Sequence, residues 1–362
     1  HISDTTFFIH FYGVKPEFAA IENDFKRFSE TQLQVFGSFP EKAYHFLNII
    51  LPYPFYHGVE HRNSTVIVLG PVEDFDSGSF YNRLLGISSH ELFHTWNICK
   101  IRPLEMFPYD LKKENYFPTG FVAEGVTTYY GDLMLARAGV WDFETYFREL
   151  SDNLQKHMSN PGKNYSSLIQ SSYDLWIDGY QKSHPYRKVS IYDKGALVAL
   201  ILDLYLRKET GNKVSLDTVM KYLWEEFALK SKGYSYDDYK STVEKVSGKD
   251  FKKYFDDCVE GVTPLERILA HQLDHVGCVV EISHNPVVWE SSFGLKLSQS
   301  GEKIVVTAVD PGSPADKVLS VNDEILEVNK KPLTPENLKS LFHDKQMLEL
   351  HISSAGKHKI RT

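Results

Sequence analysis

"SSHELFHTWN", residues 88–97, sets two histidines and a glutamate into little more than one helical turn. Leu84, Ile87, Glu91, His94 and Ile98 recur at three- and four-residue steps, the spacing of one helix stripe. Stripes like this are mostly apolar throughout. Here ionisable groups stand where leucines would pack better, and burying them costs free energy unless they are paired or bound to a metal. On one helix face, the spacing of His90 and His94 brings their β-carbons to roughly 5–6 Å. Two such imidazoles suit zinc, with a Zn–N distance of about 2.0–2.1 Å. Glu91 shares the stripe. In His-Glu-x-x-His sites this residue holds the attacking water and takes its proton. Two plainer readings compete. Ser88 and Glu91 form an S-x-x-E pattern that would complete a capping box, and the histidines could be the polar edge of an ordinary helix.

A third ligand is needed for an open catalytic site. A metzincin would continue with glycine and histidine where this chain has Asn97 and Lys100, so that class is excluded. The segment "GFVAEGVTTYYGDLMLARAG" (120–139) reads as a helix with Glu124 in its first turn. A carboxylate from a second, facing helix would complete the set. Glu124 could equally be a first-turn charge that favours the helix dipole. Glu105, in the proline-broken "IRPLEMFP", is a rival ligand.

The chain has 362 residues, more than one ordinary core holds, so two domains are expected. Its net charge is −8 with scattered Lys and Arg, which argues against nucleic acid or an anionic membrane as the main partner. No apolar run reaches the length of a membrane span. The three cysteines, Cys99, Cys258 and Cys278, are odd in number and lack metal-type spacing, so no disulfide framework is expected. The opening "HISDTTFFIHFYG" reads as mid-domain sequence with no signal peptide in view. We expect a further N-terminal portion, and the compartment, cytoplasmic or periplasmic, stays open.

Phe18, Ile21, Phe25 and Phe28 mark an early amphipathic helix, and "KAYHFLNIIL" and "STVIVLG" read as strands. From about residue 80 to 272 the pattern is mostly helical, with "KGALVALILDLYLRKE", "LDTVMKYLWEEF" and "YDDYKSTVEKV" as the clearest runs. Between about 275 and 290 the texture changes to short strands, turn dipeptides and one short helix candidate after Pro335. A domain boundary is expected there.

With these residues in view, the chain resembles the glycyl-aminopeptidase-type metallopeptidases, gluzincins with a thermolysin-like catalytic domain and a C-terminal PDZ domain. The resemblance is carried by "HGVEHRNS" (57–64), "SSHELFHTWNICKIRP" (88–103), "FVAEGVTTYYGDLMLARAG" (121–139) and "SIYDKGALVALILDL" (190–204), in that order. The fold class it implies is α+β. A mostly helical thermolysin-like domain with a small β-sheet spans 1–278, and a small β-rich PDZ-like domain spans 284–362. The family's N-terminal β-domain has no counterpart here. The resemblance makes His90, His94 and Glu124 the ligands of a Zn2+ ion and Glu91 the catalytic base. Tyr192, one of 21 tyrosines, takes the place of a tyrosine that stabilises the oxyanion. Gly58 and Glu60, in "GVEH", correspond to the segment that holds the free amine of the substrate. The implied activity is a zinc aminopeptidase removing small N-terminal residues such as Gly or Ala from peptides.

Two departures are visible. The 29 residues between His94 and Glu124 exceed the thermolysin spacing, although the family itself carries an insertion here. His57 precedes Gly58 where the family more often has a second glycine. In the second domain, "SFGLKL" (292–297) resembles the carboxylate-binding loop of PDZ domains. Phe293, Gly294 and Leu295 would meet a peptide or protein C-terminus that adds a strand to the sheet edge. Three other readings remain: an endopeptidase with the same zinc site, a non-catalytic peptide-binding protein acting through the PDZ-like domain, and a structural zinc site.

Overall fold

The computed structural model describes residues 1–179, 184–342 and 347–362. The chain divides into two compact units, His1–Tyr180 with Lys188–Cys278, and Gln181–Arg187 with Val279–Thr362.

The first unit opens with a sheet. Its strands are β1 (Thr6–Tyr12), β2 (Ala43–Ile50), β3 (Phe55–His61) and β4 (Ser64–Gly70), in the order β1-β2-β4-β3. The first three in that order run parallel, and β3 lies antiparallel on the outer edge of β4. Strand β2 alternates buried and half-buried residues along its whole length, which is the period-2 pattern of a half-buried strand. Its buried Phe46 meets Phe25 and Phe28 of helix α1 (Phe18–Phe36), with the Phe25 and Phe46 rings edge to face at 4.8 Å.

Helix α2 (Gly78–Phe93) begins at Ser77, whose hydroxyl accepts the Phe80 N–H at 3.2 Å. Ser88 and Glu91 therefore sit in the C-terminal half of the helix, far from its N-cap, and the capping-box reading of this pair fails. Leu84, Leu85, Leu92 and Phe93 are all fully buried; each such side chain contributes about 1.5–3 kcal/mol. The helix stops at Phe93 with His94 as its C-cap, so Ile98, in a left-handed conformation at φ 120°, lies beyond it and outside the expected stripe.

Residues 98–120 run mostly without regular structure, against the helical expectation for this region. The chain re-enters helix at Phe121–Val126, a π-helical turn that continues as α3 (Thr127–Arg137). Helices α4 (Phe143–Met158), α5 (Leu168–Tyr173), α6 (Leu175–Asp178), α7 (Asp193–Thr210), α8 (Leu216–Leu223), α9 (Tyr236–Ser247), α10 (Lys252–Tyr254) and α11 (Leu265–His275) follow. Helix α7 is buried nearly all round, as its apolar run predicts.

The second unit is a sheet of short strands: β5 (Leu295–Ser300), β6 (Lys303–Val309), β7 (Glu324–Val328), β9 (Leu350–Ser354) and β10 (Lys357–Arg361), with β8 (Lys331–Pro332) beside β7. The helix expected after Pro335 is Leu338–Leu341. No helix among the described residues is long and apolar enough to cross a membrane, and all three cysteines are free thiols.

Candidate active site

Three donor atoms from separate places in the sequence converge. His90 Nε2 and His94 Nε2 are 3.0 Å apart, and Glu124 Oε2 stands 3.6 Å from the first and 3.3 Å from the second. Two ligands held about 2.1 Å from one tetrahedral ion stand about 3.4 Å apart. The nitrogen, nitrogen and oxygen donors thus fit a zinc-sized cation.

The electrostatics agree. Burial opposes charge on the His94 imidazole, yet Glu124, Glu60 and Glu91 pull it up to about 10. Burial works against Glu124 too, but His94 and His90 outweigh it and hold this carboxyl below its ordinary range. The pocket therefore demands a positive charge, which a proton or a metal can supply.

The local fold fixes each ligand. His94 Nδ1 donates to the Asn97 carbonyl oxygen at 2.9 Å. A carbonyl only accepts, so the proton stays on Nδ1 and Nε2 is left to face the cluster. The Asn97 side chain donates across to the Val122 carbonyl at 2.8 Å and to Thr127 Oγ1 at 3.0 Å. One residue thus locks a histidine and ties down the turn that carries Glu124. Helix α7 then crosses that turn at two glycines. A Cβ on Gly125 would lie 2.5 Å from Gly195 Cα, so no side chain fits at the crossing.

That crossing brings Tyr192, just ahead of α7, to the site. Its ring centroid is 6.4 Å from that of His90, and it is an exposed residue of the cleft wall. The cleft, about 1060 Å³, is lined by Tyr56, Gly58, Glu60, Glu91, Tyr192 and Trp141 among others. Glu91 is 5% exposed, and its Oε2 has no hydrogen-bond partner. Burial pushes its carboxyl above the ordinary range, with the charges of His90 and His94 acting against the rise. Glu60 sits on β3, half-buried, rather than in an exposed loop. Its carboxylate joins Glu91 and His94 in a second group whose donor atoms lie within 4.8 Å of one another. Glu105 belongs to neither group among the described residues.

In the second unit Phe293 and Leu295 line an apolar groove of about 540 Å³ with Val318, Phe342 and Leu348. The N–H of Gly294 donates to the Glu290 carbonyl at 3.0 Å, and its φ of +69° places the missing Cβ against Ser313, 2.6 Å from Oγ. The glycine makes a tight turn, and its N–H is not open to a chain terminus.

Residues 83–198 match the M61 glycyl aminopeptidase family and residues 283–354 the PDZ domain. The crystal structure of an aminopeptidase N family protein from Idiomarina loihiensis is similar over 97% of this chain, with 28% identity and a TM-score of 0.88. The chain spans 63% of the length of that structure. An M1 zinc metallopeptidase from Deinococcus radiodurans is similar over 71% of this chain and 48% of its own, at 18% identity and a TM-score of 0.48. No curated protein matches. The fold is thus a peptidase fold, α+β with a β-rich C-terminal region. More particularly, the chain carries a domain of the M61 glycyl aminopeptidase family followed by a PDZ domain.

Proposed function

We propose that this chain is the catalytic part of a zinc aminopeptidase of the gluzincin type, acting on peptides with small N-terminal residues such as Gly or Ala. The observation that carries the reading is the His90–His94–Glu124 cluster, with the buried Glu91 carboxylate, its Oε2 without a hydrogen-bond partner, beside it in an open cleft. His90, His94 and Glu124 would hold the ion. A zinc ion bound there supplies Lewis-acid chemistry, polarising a carbonyl and acidifying water.

The chain's own residues do the rest. Glu91 takes the proton of the attacking water and delivers it to the leaving amine, two tasks one carboxylate performs in turn. Tyr192 offers its phenol O–H to the carbonyl oxygen as negative charge gathers there. Glu60 pairs with the ammonium of the substrate and fixes which bond is cut, since only an exopeptidase needs an anion at that end of its cleft. The apolar groove of the second unit supports a peptide-binding role for the PDZ domain.

The test uses aminoacyl reporters with free and N-acetylated amines. Free-amine Gly and Ala reporters should be cleaved and acetylated ones should not, and Glu60→Gln should raise KM for the free amine. Cleavage of acetylated peptides would favour an endopeptidase. Hydrolysis of Leu and Phe reporters alone would discard the small-residue preference. Full biological activity in Glu91→Gln would favour a binding role.

A further inference from the structure

Gly58 lies in the middle of β3, paired with Ile67 of β4 in an ordinary extended register. Its φ is not positive, so the backbone does not require glycine there. Glycine weakens a strand interior and often marks a place where something must come close. Here a Cβ would lie 2.7 Å from Glu91 Cδ and 3.0 Å from Cγ, and nearer still to Oε1. The three nearest atoms all belong to one side chain.

We infer that Gly58 is a positioning residue for Glu91: its bare Cα is the wall against which the carboxyl group rests. The inference builds on the reading of Glu91 as the general base. The nearest obstructing atoms belong to a side chain and not to backbone, with the closest two in its terminal carboxyl group, so a methyl group at this position would not break the sheet. It would turn Glu91 aside instead. The carboxyl has few places to go. Its Oε2 is already buried without a partner, and the Glu60 carboxylate and His94 ring lie within 4.8 Å. Turning toward Glu60 would crowd two like charges. The effect of substitution thus falls on placement of the base, where an error of about 1 Å can cost about a hundredfold in rate.

A rival use for the same glycine is to let a substrate backbone approach the strand, and the two make opposite predictions. For Gly58→Ala we expect kcat to fall about a hundredfold with KM within about twofold, zinc content unchanged, and the melting temperature close to wild type. Added to Glu91→Asp, the substitution should cost little more than Glu91→Asp alone, because the two act through the same carboxylate. A crystal structure of Gly58→Ala should show the Glu91 carboxyl displaced. An unmoved Glu91, a raised KM at normal kcat, or losses that simply add would each overturn the inference. If the wild type hydrolyses no reporter, the peptidase reading fails, while the crystallographic test of the Gly58–Glu91 contact still stands.

Discussion

The Nδ1 of His94 and the carbonyl oxygen of Asn97 are 2.9 Å apart, and the same asparagine reaches over to the turn that bears Glu124. Outer partners of this kind set ligand orientation, and their loss typically weakens metal binding about 10–100-fold. Asn97→Ala keeps the backbone carbonyl but frees the Glu124 turn. Zinc affinity, measured by chelator competition, should fall by about that range while the chain stays folded. Unchanged affinity would show that the turn holds its place unaided.

Glu91 contributes no atom to the ligand set proposed here. Glu91→Gln should retain one zinc per chain and lose about 10²–10⁴-fold in kcat, the range of general acid–base catalysis. Because it replaces a buried carboxylate lacking a partner on Oε2, melting should be unchanged or slightly higher. Loss of zinc would instead make Glu91 a ligand, within the alternative group it forms with Glu60 and His94.

Tyr192 is half-exposed in the cleft beside His90. Tyr192→Phe removes only the hydroxyl. The expected result is a fall in kcat of about 10²–10³-fold with KM little changed, since removing one oxyanion donor costs about that much. A normal kcat would return Tyr192 to a packing role.

His157 on α4 is buried. Burial, with the charges of Lys194 and Lys163, pulls its imidazole down to about 4, against an opposing pull from Glu266. A folded value below the ordinary 6.5 means that the unfolded chain takes the proton first. Stability is therefore whole above about pH 6.5 and is lost as pH falls toward 4. His157→Gln should flatten the denaturation free energy across that window by on the order of 2–3 kcal/mol relative to wild type. Parallel pH curves for the two proteins would refute this.

The stripe around His90 is legible because its residues follow helical spacing as far as His94; Glu124, on a separate turn, was one candidate among others until the family resemblance singled it out. The strands β2 and β4 were legible because both are rich in β-branched and apolar residues. Strand β3 was not, for "FYHGVEH" has a glycine at its centre and no alternation of burial. Nor was β1, whose residues read as mid-domain sequence without a definite element. Asn97 escaped notice because its work is done by a backbone carbonyl and contacts 25 to 30 residues away. In the Gly294 loop, sequence shows the glycine but not which carbonyl takes its N–H. The Gly58–Glu91 contact depends on a strand edge lying over a helix, which no local pattern records.

The most direct test is anomalous diffraction at the zinc edge from crystals of zinc-loaded protein. The account predicts one strong peak per chain, bonded to His90 Nε2, His94 Nε2 and a Glu124 oxygen. A peak on Glu60, Glu91 and His94 instead, or no peak between the two imidazoles, would contradict it.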